Sequence, residues 1–271
     1  MFCALVGNPV DHSLSPLMYV AFCEQWGISD FRYETYALEF SAFESALAAF
    51  QQEGIHSLNI TTPFKSLALA CATDASTRAR RAGAANLLTF DDNKLIADNT
   101  DGEGLLRDIS MRWGLSLQDR TVVVLGAGGA ARGALAALMS VEGMKCFVVN
   151  RTLEKAQYLA EAFEGVRAAS FDSLASIQAD LIINATSSSL QGVNLPVPAE
   201  AISTDTYVYD MFYTKNGHTH FLSQMKALGA VHCRDGLGML LEQGALVFEQ
   251  WFGQVPEIGK LIEDRTWLHP R

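Results

Sequence analysis

Residues 121–133 read TVVVLGAGGAARG. Val122, Val123, Val124 and Leu125 form an apolar run with no polar alternation, which predicts a strand buried on both faces, as in a parallel sheet. The run leads directly into Gly126-Ala127-Gly128-Gly129-Ala130-Ala131, a G-x-G-x-x-A spacing that opens a helix. Glycine at 126 allows the tight turn and glycine at 128 lets a pyrophosphate approach the backbone. The small Ala131 lets helix and strand pack closely, and the phosphates then face the positive end of the helix dipole. A ligand-free strand–helix turn uses the same glycines, so the flanks decide. A strand precedes the loop, a helix follows, and a second strand, KCFVVN, comes at 145–150. That context predicts a dinucleotide site.

The end of the second strand refines the prediction. Asn150 lies 150 − 126 = 24 residues after Gly126. A site for NAD would place Asp or Glu there, to hold the ribose 2′-hydroxyl. This chain has NRTLEK instead, with Arg151, Thr152 and Lys155. A planar guanidinium, a hydroxyl and an ammonium suit a 2′-phosphate, which predicts NADP as cofactor. An exposed basic helix start is the alternative, but cations at a helix N-terminus oppose its dipole.

Away from this core, short apolar runs alternate with longer helical ones. Strands are predicted at 2–7, 31–38, 56–61, 121–126, 145–150, 166–169, 180–185 and 206–211, with a hairpin at about 86–98. Helices are predicted at 16–26, 41–52, 103–113, 153–163 and 236–252. Strand–helix alternation predicts an α/β fold built from parallel sheets. The restart after residue 101 predicts two domains, 1–101 and 102–236, with helices from 237–271 packing back on the first. Over 271 residues the chain is 49% hydrophobic and carries a net charge of −10. Such a balance argues against nucleic acid and anionic membrane as partners. The five cysteines are scattered, with no CxxC, which predicts reduced thiols and a cytoplasmic location. The N-terminus lacks the basic segment of a signal peptide. His218-x-His220 has no third ligand in view, so no metal is predicted.

The first half carries polar loops. Strand 2–7 ends in GNPVDHSLSP, where Ser15 is expected as a helix N-cap and Pro16 as the first helical residue. With that helix N-terminus, the Ser13 and Ser15 hydroxyls would suit a carboxylate. NITTPFK (59–65) ends another strand with Asn59, Thr61 and then Lys65, at the edge where open α/β sheets bind ligands. GAAN places Asn86 before a strand, and DNTDG places Asp101 before a helix. Singly, each is a turn or a cap. Together they predict a site for a polyhydroxylated small molecule.

In order, GNPVDHSLSP, NITTPFK, GAAN, DNTDG, GAGGAARG, NRT, INATS, DMFY and DGLGMLLEQ resemble the shikimate dehydrogenase family over nearly the whole chain. The resemblance implies an N-terminal α/β substrate domain, a C-terminal Rossmann NADP-binding domain, and a cleft between them. It implies reversible reduction of 3-dehydroshikimate to shikimate with NADPH, in aromatic amino-acid biosynthesis. Carried over, it implies that Ser13 and Ser15 hold the substrate carboxylate. Thr61, Asn86, Asp101 and Gln243 would contact the ring hydroxyls, with Tyr213 near the same pocket. Lys65 would reach the reacting oxygen, and Lys65 and Asp101 would be the catalytic pair. Gly126, Gly128, Gly129 and Ala130 would line the pyrophosphate, and Asn150, Arg151, Thr152 and Lys155 the adenosine phosphate. Met211 and Gly236 would lie near the nicotinamide. Two alternatives share these motifs: a quinate-accepting paralogue with relaxed cofactor use, and a low-turnover substrate-binding paralogue.

Overall fold

A computed structural model of the chain describes residues 1–269. Its elements begin with β1 (Phe2–Gly7), α1 (Ser15–Trp26), β2 (Arg32–Ala37), α2 (Phe43–Gln52), β3 (Ser57–Ile60) and α3 (Lys65–Cys71). Then come β4 (Asp74–Ala75), α4 (Thr77–Ala82), β5 (Leu87–Asp91), β6 (Lys94–Asp98) and α5 (Asp101–Arg107). After these follow β7 (Thr121–Leu125), α6 (Gly129–Leu138), β8 (Lys145–Val149), α7 (Leu153–Glu161), β9 (Val166–Ala169) and β10 (Leu181–Asn184). The last elements are α8 (Ser188–Gln191), β11 (Tyr207–Asp210), α9 (His220–Ala227), β12 (His232–Asp235), α10 (Leu237–Phe252) and α11 (Ile258–Glu263). Two compact units result. One joins Met1–Gly104 to the segment from Leu241 onward; the other is Leu105–Leu240.

The first unit holds a mixed sheet in the order β2-β1-β3-β5-β6-β4. β2, β1 and β3 are parallel, β5 runs against β3, and β6 runs against β5. The C-terminal ends of β1, β3 and β6 therefore share one edge with the start of β5. All four polar loops singled out above leave or enter the sheet along that edge. Beneath it, Ala4, Val6, Leu58 and Ile60 pack on Phe43, Phe50, Phe64 and Ala68 in a buried core. From Leu241 onward α10 lies on α1, with Phe22 edge-on to Phe248 at 5.6 Å between ring centres.

The second unit is built on a fully parallel sheet, in the order β12-β11-β10-β7-β8-β9. The chain moves outward from β7 one way, then returns to β10 and moves outward the other way. That reversal beside β7 is where doubly wound sheets open a ligand crevice. Val122 and Val124 point into one buried cluster, Val123 and Leu125 into another. Both faces are covered, which is why the strand is apolar without alternation.

Three local expectations are corrected, and one strand was not predicted. β7 ends at Leu125 rather than at Gly126, whose φ of +106° takes it out of the strand. Ser15 is not a cap: Leu14 holds that position and makes no side-chain bond to the helix, and Ser15 is already helical. The helix predicted at 103–113 is α5 followed by a wider π segment over Asp108–Arg112. The edge strand β12 escaped the apolar pattern because it reads HCRD; its Arg234 side chain serves an ion pair rather than a core.

That ion pair lies in the second unit. Asp108, in the π segment, is fully buried. It accepts 2.6 Å and 3.1 Å bonds from Arg234 and a 2.7 Å bond from the Tyr209 hydroxyl. Burial first, and then the Asp108 charge, push the Tyr209 hydroxyl well above its usual range, so it stays a donor. Gly238, in α10, faces the pair so closely that a Cβ there would lie 1.9 Å from an Asp108 carboxylate oxygen. A Cβ at Gly244 would instead meet the end of the Met18 thioether at 2.3 Å. The flexible Met18 side chain, though buried, can change rotamer; a buried carboxylate held by three bonds cannot. Gly238→Ala is therefore expected to cost about 3 kcal/mol or more, and Gly244→Ala less than about 1.5 kcal/mol. Scanning calorimetry of the two variants checks this, and equal losses would contradict it.

Candidate active site

Lys65 opens α3, and its backbone carbonyl accepts a 2.8 Å bond from the Ala85 N–H. This bond ties the NITTPFK turn to the GAAN turn. The Lys65 ammonium donates to Asp101 at 2.7 Å, and the side chains are 33% and 20% exposed. The pair is thus half-sheltered but open to a small molecule. Asp101 begins α5, and its backbone N–H bonds the Asn99 side chain at 3.1 Å.

The other Asp101 carboxylate oxygen accepts from the Asn86 amide at 2.9 Å. The same amide group lies 2.9 Å from the Thr100 hydroxyl and 3.2 Å from the Gln243 side-chain oxygen. The Asn86 oxygen in turn accepts from the Thr100 N–H at 2.8 Å. Asn86 and Gln243 are buried. One side chain therefore holds the start of β5, the start of α5 and the middle of α10 in register. Lys65, Asn86, Asp101 and Gln243, all singled out from the sequence, form one connected group of alternating donors and acceptors.

On the same sheet edge the Ser13 hydroxyl lies 3.2 Å from that of Ser15 and accepts the Ser15 N–H at 3.3 Å. Thr61 packs on Gly7 so tightly that a Cβ at Gly7 would sit 2.2 Å from the Thr61 methyl. Two contributors were not read from the sequence. Thr100 holds Asn86 from both its N–H and its hydroxyl. Tyr33, from β2, donates to the Asn59 side-chain oxygen at 2.8 Å, which turns the Asn59 NH₂ away from it. Burial, reinforced by Tyr19 and Cys3, keeps the Tyr33 hydroxyl protonated. For Thr100 the signal was available, as a hydroxyl inside DNTDG; for Tyr33 a β-strand tyrosine gives no local hint.

The remaining candidates lie in the second unit. Gly126 takes φ +106°, and its N–H bonds the Val149 carbonyl at 2.8 Å. A Cβ at Gly126 would meet the Thr186 methyl at 3.0 Å and the Ala185 carbonyl oxygen at 3.2 Å. Gly128 and Gly129 differ: no atom lies within 4 Å of a Cβ built at either. They sit at the start of α6, facing room that the chain itself does not fill. Ala131, one turn in, is fully buried.

Because Leu125 is in register with Val149, the NRTLEK turn emerges beside this glycine loop. Asn150 shapes it with a 2.9 Å bond to the Thr152 carbonyl, and Arg151, Thr152 and Lys155 are exposed. Open glycines at a helix start, beside an exposed guanidinium and ammonium, fit a dinucleotide with an extra phosphate. Further along the same edge the Gly236 N–H bonds the Phe212 carbonyl at 3.1 Å. A Cβ at Gly236 would lie 2.4 Å from the Met211 carbonyl oxygen. Tyr213 follows, its ring stacked with Phe212. Among the described residues, no group of three or more His, Cys, Asp or Glu side chains is arranged to hold a metal ion.

Comparison with known proteins finds matches in both units. Residues 5–88 match the family model of the shikimate dehydrogenase substrate binding domain. Residues 109–202 match that of shikimate / quinate 5-dehydrogenase, and residues 236–263 that of the shikimate 5′-dehydrogenase C-terminal domain. A shikimate dehydrogenase (NADP(+)) of Dechloromonas aromatica is 42% identical over 267 residues, 97% of this chain and 96% of that one. Among solved structures, shikimate 5-dehydrogenase of Thermus thermophilus in complex with NADP(H) and shikimate superposes with a TM-score of 0.85. It is 33% identical and covers 98% of each chain. An Ael1 enzyme from Pseudomonas putida gives a TM-score of 0.88 at 35% identity, covering 97% of each chain.

The open space at Gly128 separates folding from ligand binding. Its φ of −95° suits any residue, so Gly128→Ala is expected to keep its stability within about 1 kcal/mol. A methyl pointing into the phosphate's place is expected to weaken dinucleotide binding by about tenfold or more. Calorimetric titration with NADP, beside a melting curve, checks both halves. Native affinity in the variant would remove Gly128 from the phosphate site.

Proposed function

The chain belongs to the shikimate dehydrogenase family, and on that premise we infer that it reduces 3-dehydroshikimate to shikimate, reversibly, with NADPH. It is an oxidoreductase acting on a secondary alcohol, and its cofactor is NADP. The observation that carries the assignment to this chain's own residues is the Lys65–Asp101 contact at 2.7 Å, joined through Asn86 to Gln243.

In this proposal Ser13 and Ser15 receive the substrate carboxylate with hydroxyl donors, and Thr61, Asn86, Asp101 and Gln243 orient the ring hydroxyls. Hydroxyl donors suit a chain with a net charge of −10, since they hold an anion without adding a basic surface. Lys65 faces the oxygen of the reacting carbon. In reduction its ammonium polarises the carbonyl and gives a proton to that oxygen; in oxidation the Lys65–Asp101 pair takes the proton back. NADPH, when bound, supplies the hydride that the carbonyl carbon receives. Gly126, Gly128, Gly129 and Ala130 hold its pyrophosphate, Arg151 with Asn150, Thr152 and Lys155 its 2′-phosphate end, and Met211 and Gly236 its nicotinamide end. Tyr213, two residues after Met211, is proposed as a further substrate-binding residue.

The named relatives are NADP-dependent shikimate dehydrogenases, which does not favour the quinate-accepting alternative. No helix among the described residues is long and apolar enough to cross a membrane. All five cysteines are unpaired, and burial pushes the Cys3 and Cys146 thiols up to about 12. Unpaired cysteines support a cytoplasmic location, where disulfides are rare.

Initial rates with shikimate and quinate, each with NADP and NAD, test the assignment. Shikimate with NADP is expected to be the preferred pair, and a preference for quinate or NAD would overturn it. Lys65→Ala is expected to lower kcat by roughly 10²-fold or more while changing substrate KM much less. A variant with near-native kcat would leave Asp101 as the proton-handling group. Arg151→Ala is expected to raise the KM for NADP by about tenfold while leaving that for NAD within about twofold. Equal loss with both cofactors would mean that Arg151 packs on adenine and does not read the phosphate.

A further inference from the structure

Two motifs have no role in the scheme above, INATS and the Asp of DMFY, and the structure joins them. Asn184 ends β10 and Asp210 ends β11, in register with each other on adjacent strands. Both are fully buried. The Asn184 amide donates to an Asp210 carboxylate oxygen at 3.0 Å and to the Ser188 hydroxyl at 3.2 Å. Its oxygen receives the Thr186 N–H at 3.0 Å and the Thr186 hydroxyl at 2.7 Å. The Asn184 side chain is thus used to capacity.

Asp210 is tied as firmly. The oxygen that meets Asn184 also accepts the Phe212 N–H at 3.1 Å, and the other accepts the Ser189 hydroxyl at 2.5 Å. These partners are neutral donors, so the carboxylate is buried without the return that a cation would give. Burial accordingly raises its proton affinity, against the pull of Ser189, Thr219, Phe212 and Asn184. A carboxylate buried without a cation is weak evidence of a purely stabilising role.

The two side chains fix two turns. Residues 185–189 form one, and its Ala185 carbonyl and Thr186 methyl are the atoms that press on Gly126. Residues 211–212 form the other, and the Met211 carbonyl is the atom that presses on Gly236. The Met211 N–H bonds the Asn184 carbonyl at 3.0 Å, and the Ala185 N–H bonds the Leu125 carbonyl at 2.9 Å. The pyrophosphate turn and the Met211–Gly236 turn therefore rest on one buried pair.

We propose that Asn184 and Asp210 are positioning residues: they set the Met211–Gly236 turn against the glycine loop and so fix the nicotinamide half of the cofactor for hydride transfer. Neither touches a reactant. The proposal rests on the NADP reading of the second unit, and its test does not depend on which alcohol is oxidised.

The test uses the full chain with Asp210→Asn, which keeps shape and removes an acceptor. Titration calorimetry compares NADP with adenosine 2′,5′-bisphosphate, which has the adenosine end but no nicotinamide. The variant is expected to bind NADP about tenfold more weakly and the bisphosphate within about twofold of native. With shikimate, kcat is expected to fall by about tenfold or more with substrate KM within about twofold, as for a misplaced reactant. Equal weakening of both ligands, or native binding and kcat with only a lower melting point, would reduce the pair to a structural support and overturn the proposal. If Asp210→Asn does not fold, Ser189→Ala removes one bond to the same carboxylate. It is expected to give the same split at smaller amplitude, and a uniform loss or no loss overturns the proposal there too. A native protein that binds NADP but does not oxidise shikimate would refute the substrate assignment while leaving the binding comparison decisive.

Discussion

The Asn86 side chain is the fastening on which the first unit's candidate site depends. A buried amide with unmet donors would cost about 1–3 kcal/mol, and here its bonds reach Thr100, Asp101 and Gln243. Those partners come from two separate parts of the site, the DNTDG loop and α10. Asp101 presents its second carboxylate oxygen to Lys65 because the first is occupied by Asn86. The geometry of the proton-handling pair is thus set by a neutral group that has no proton to exchange. A network of this kind specifies one arrangement because any half-made version leaves polar atoms stranded.

The second unit obeys a different constraint, close approach of backbone to backbone. Gly126 and Gly236 are each pressed by a carbonyl oxygen of a neighbouring turn, and a side chain at either would push those turns apart. Gly128 and Gly129 face open room instead. The same residue type is used in two ways along one sheet edge, to bring chain segments together and to leave space for a ligand. Only the folded chain distinguishes the two uses.

What the sequence conveyed follows from this. The apolar run at 122–125 and the glycine spacing after it are local signals, and they placed the strand–loop–helix unit of β7 and α6. The NRTLEK turn was legible as a candidate because an acidic residue at one position would favour one cofactor and basic residues near it the other. The polar loops of the first unit were legible as candidates, but not their mutual contacts. Asn86 and Gln243 are 157 positions apart, and nothing local announces that they meet. Ser15 was expected as a helix cap because Ser-Pro favours one; in the fold the helix begins a residue earlier, which leaves the Ser15 side chain unused in capping. β12 was missed because an edge strand that feeds an ion pair has no apolar pattern to display. Asn184 and Asp210 stood in plain view as polar residues ending apolar strands, yet only the register of β10 with β11 makes them a pair.

The first unit's interrupted make-up bears on how the chain is born. During synthesis the N-terminal segment emerges first, followed by the whole of Leu105–Leu240, and only then α10 beyond Leu241. A nascent chain can therefore complete its dinucleotide-binding unit while the older segment still lacks Gln243 for Asn86 and Phe248 for Phe22. The polar hub and the aromatic face of α1 wait, exposed, for α10 to leave the ribosome. Domains commonly mature in the order they are made; here the order is inverted, and the substrate half is the last to become native. Chaperone demand and sensitivity to premature termination should accordingly concentrate on the first unit, although it is the first to be translated.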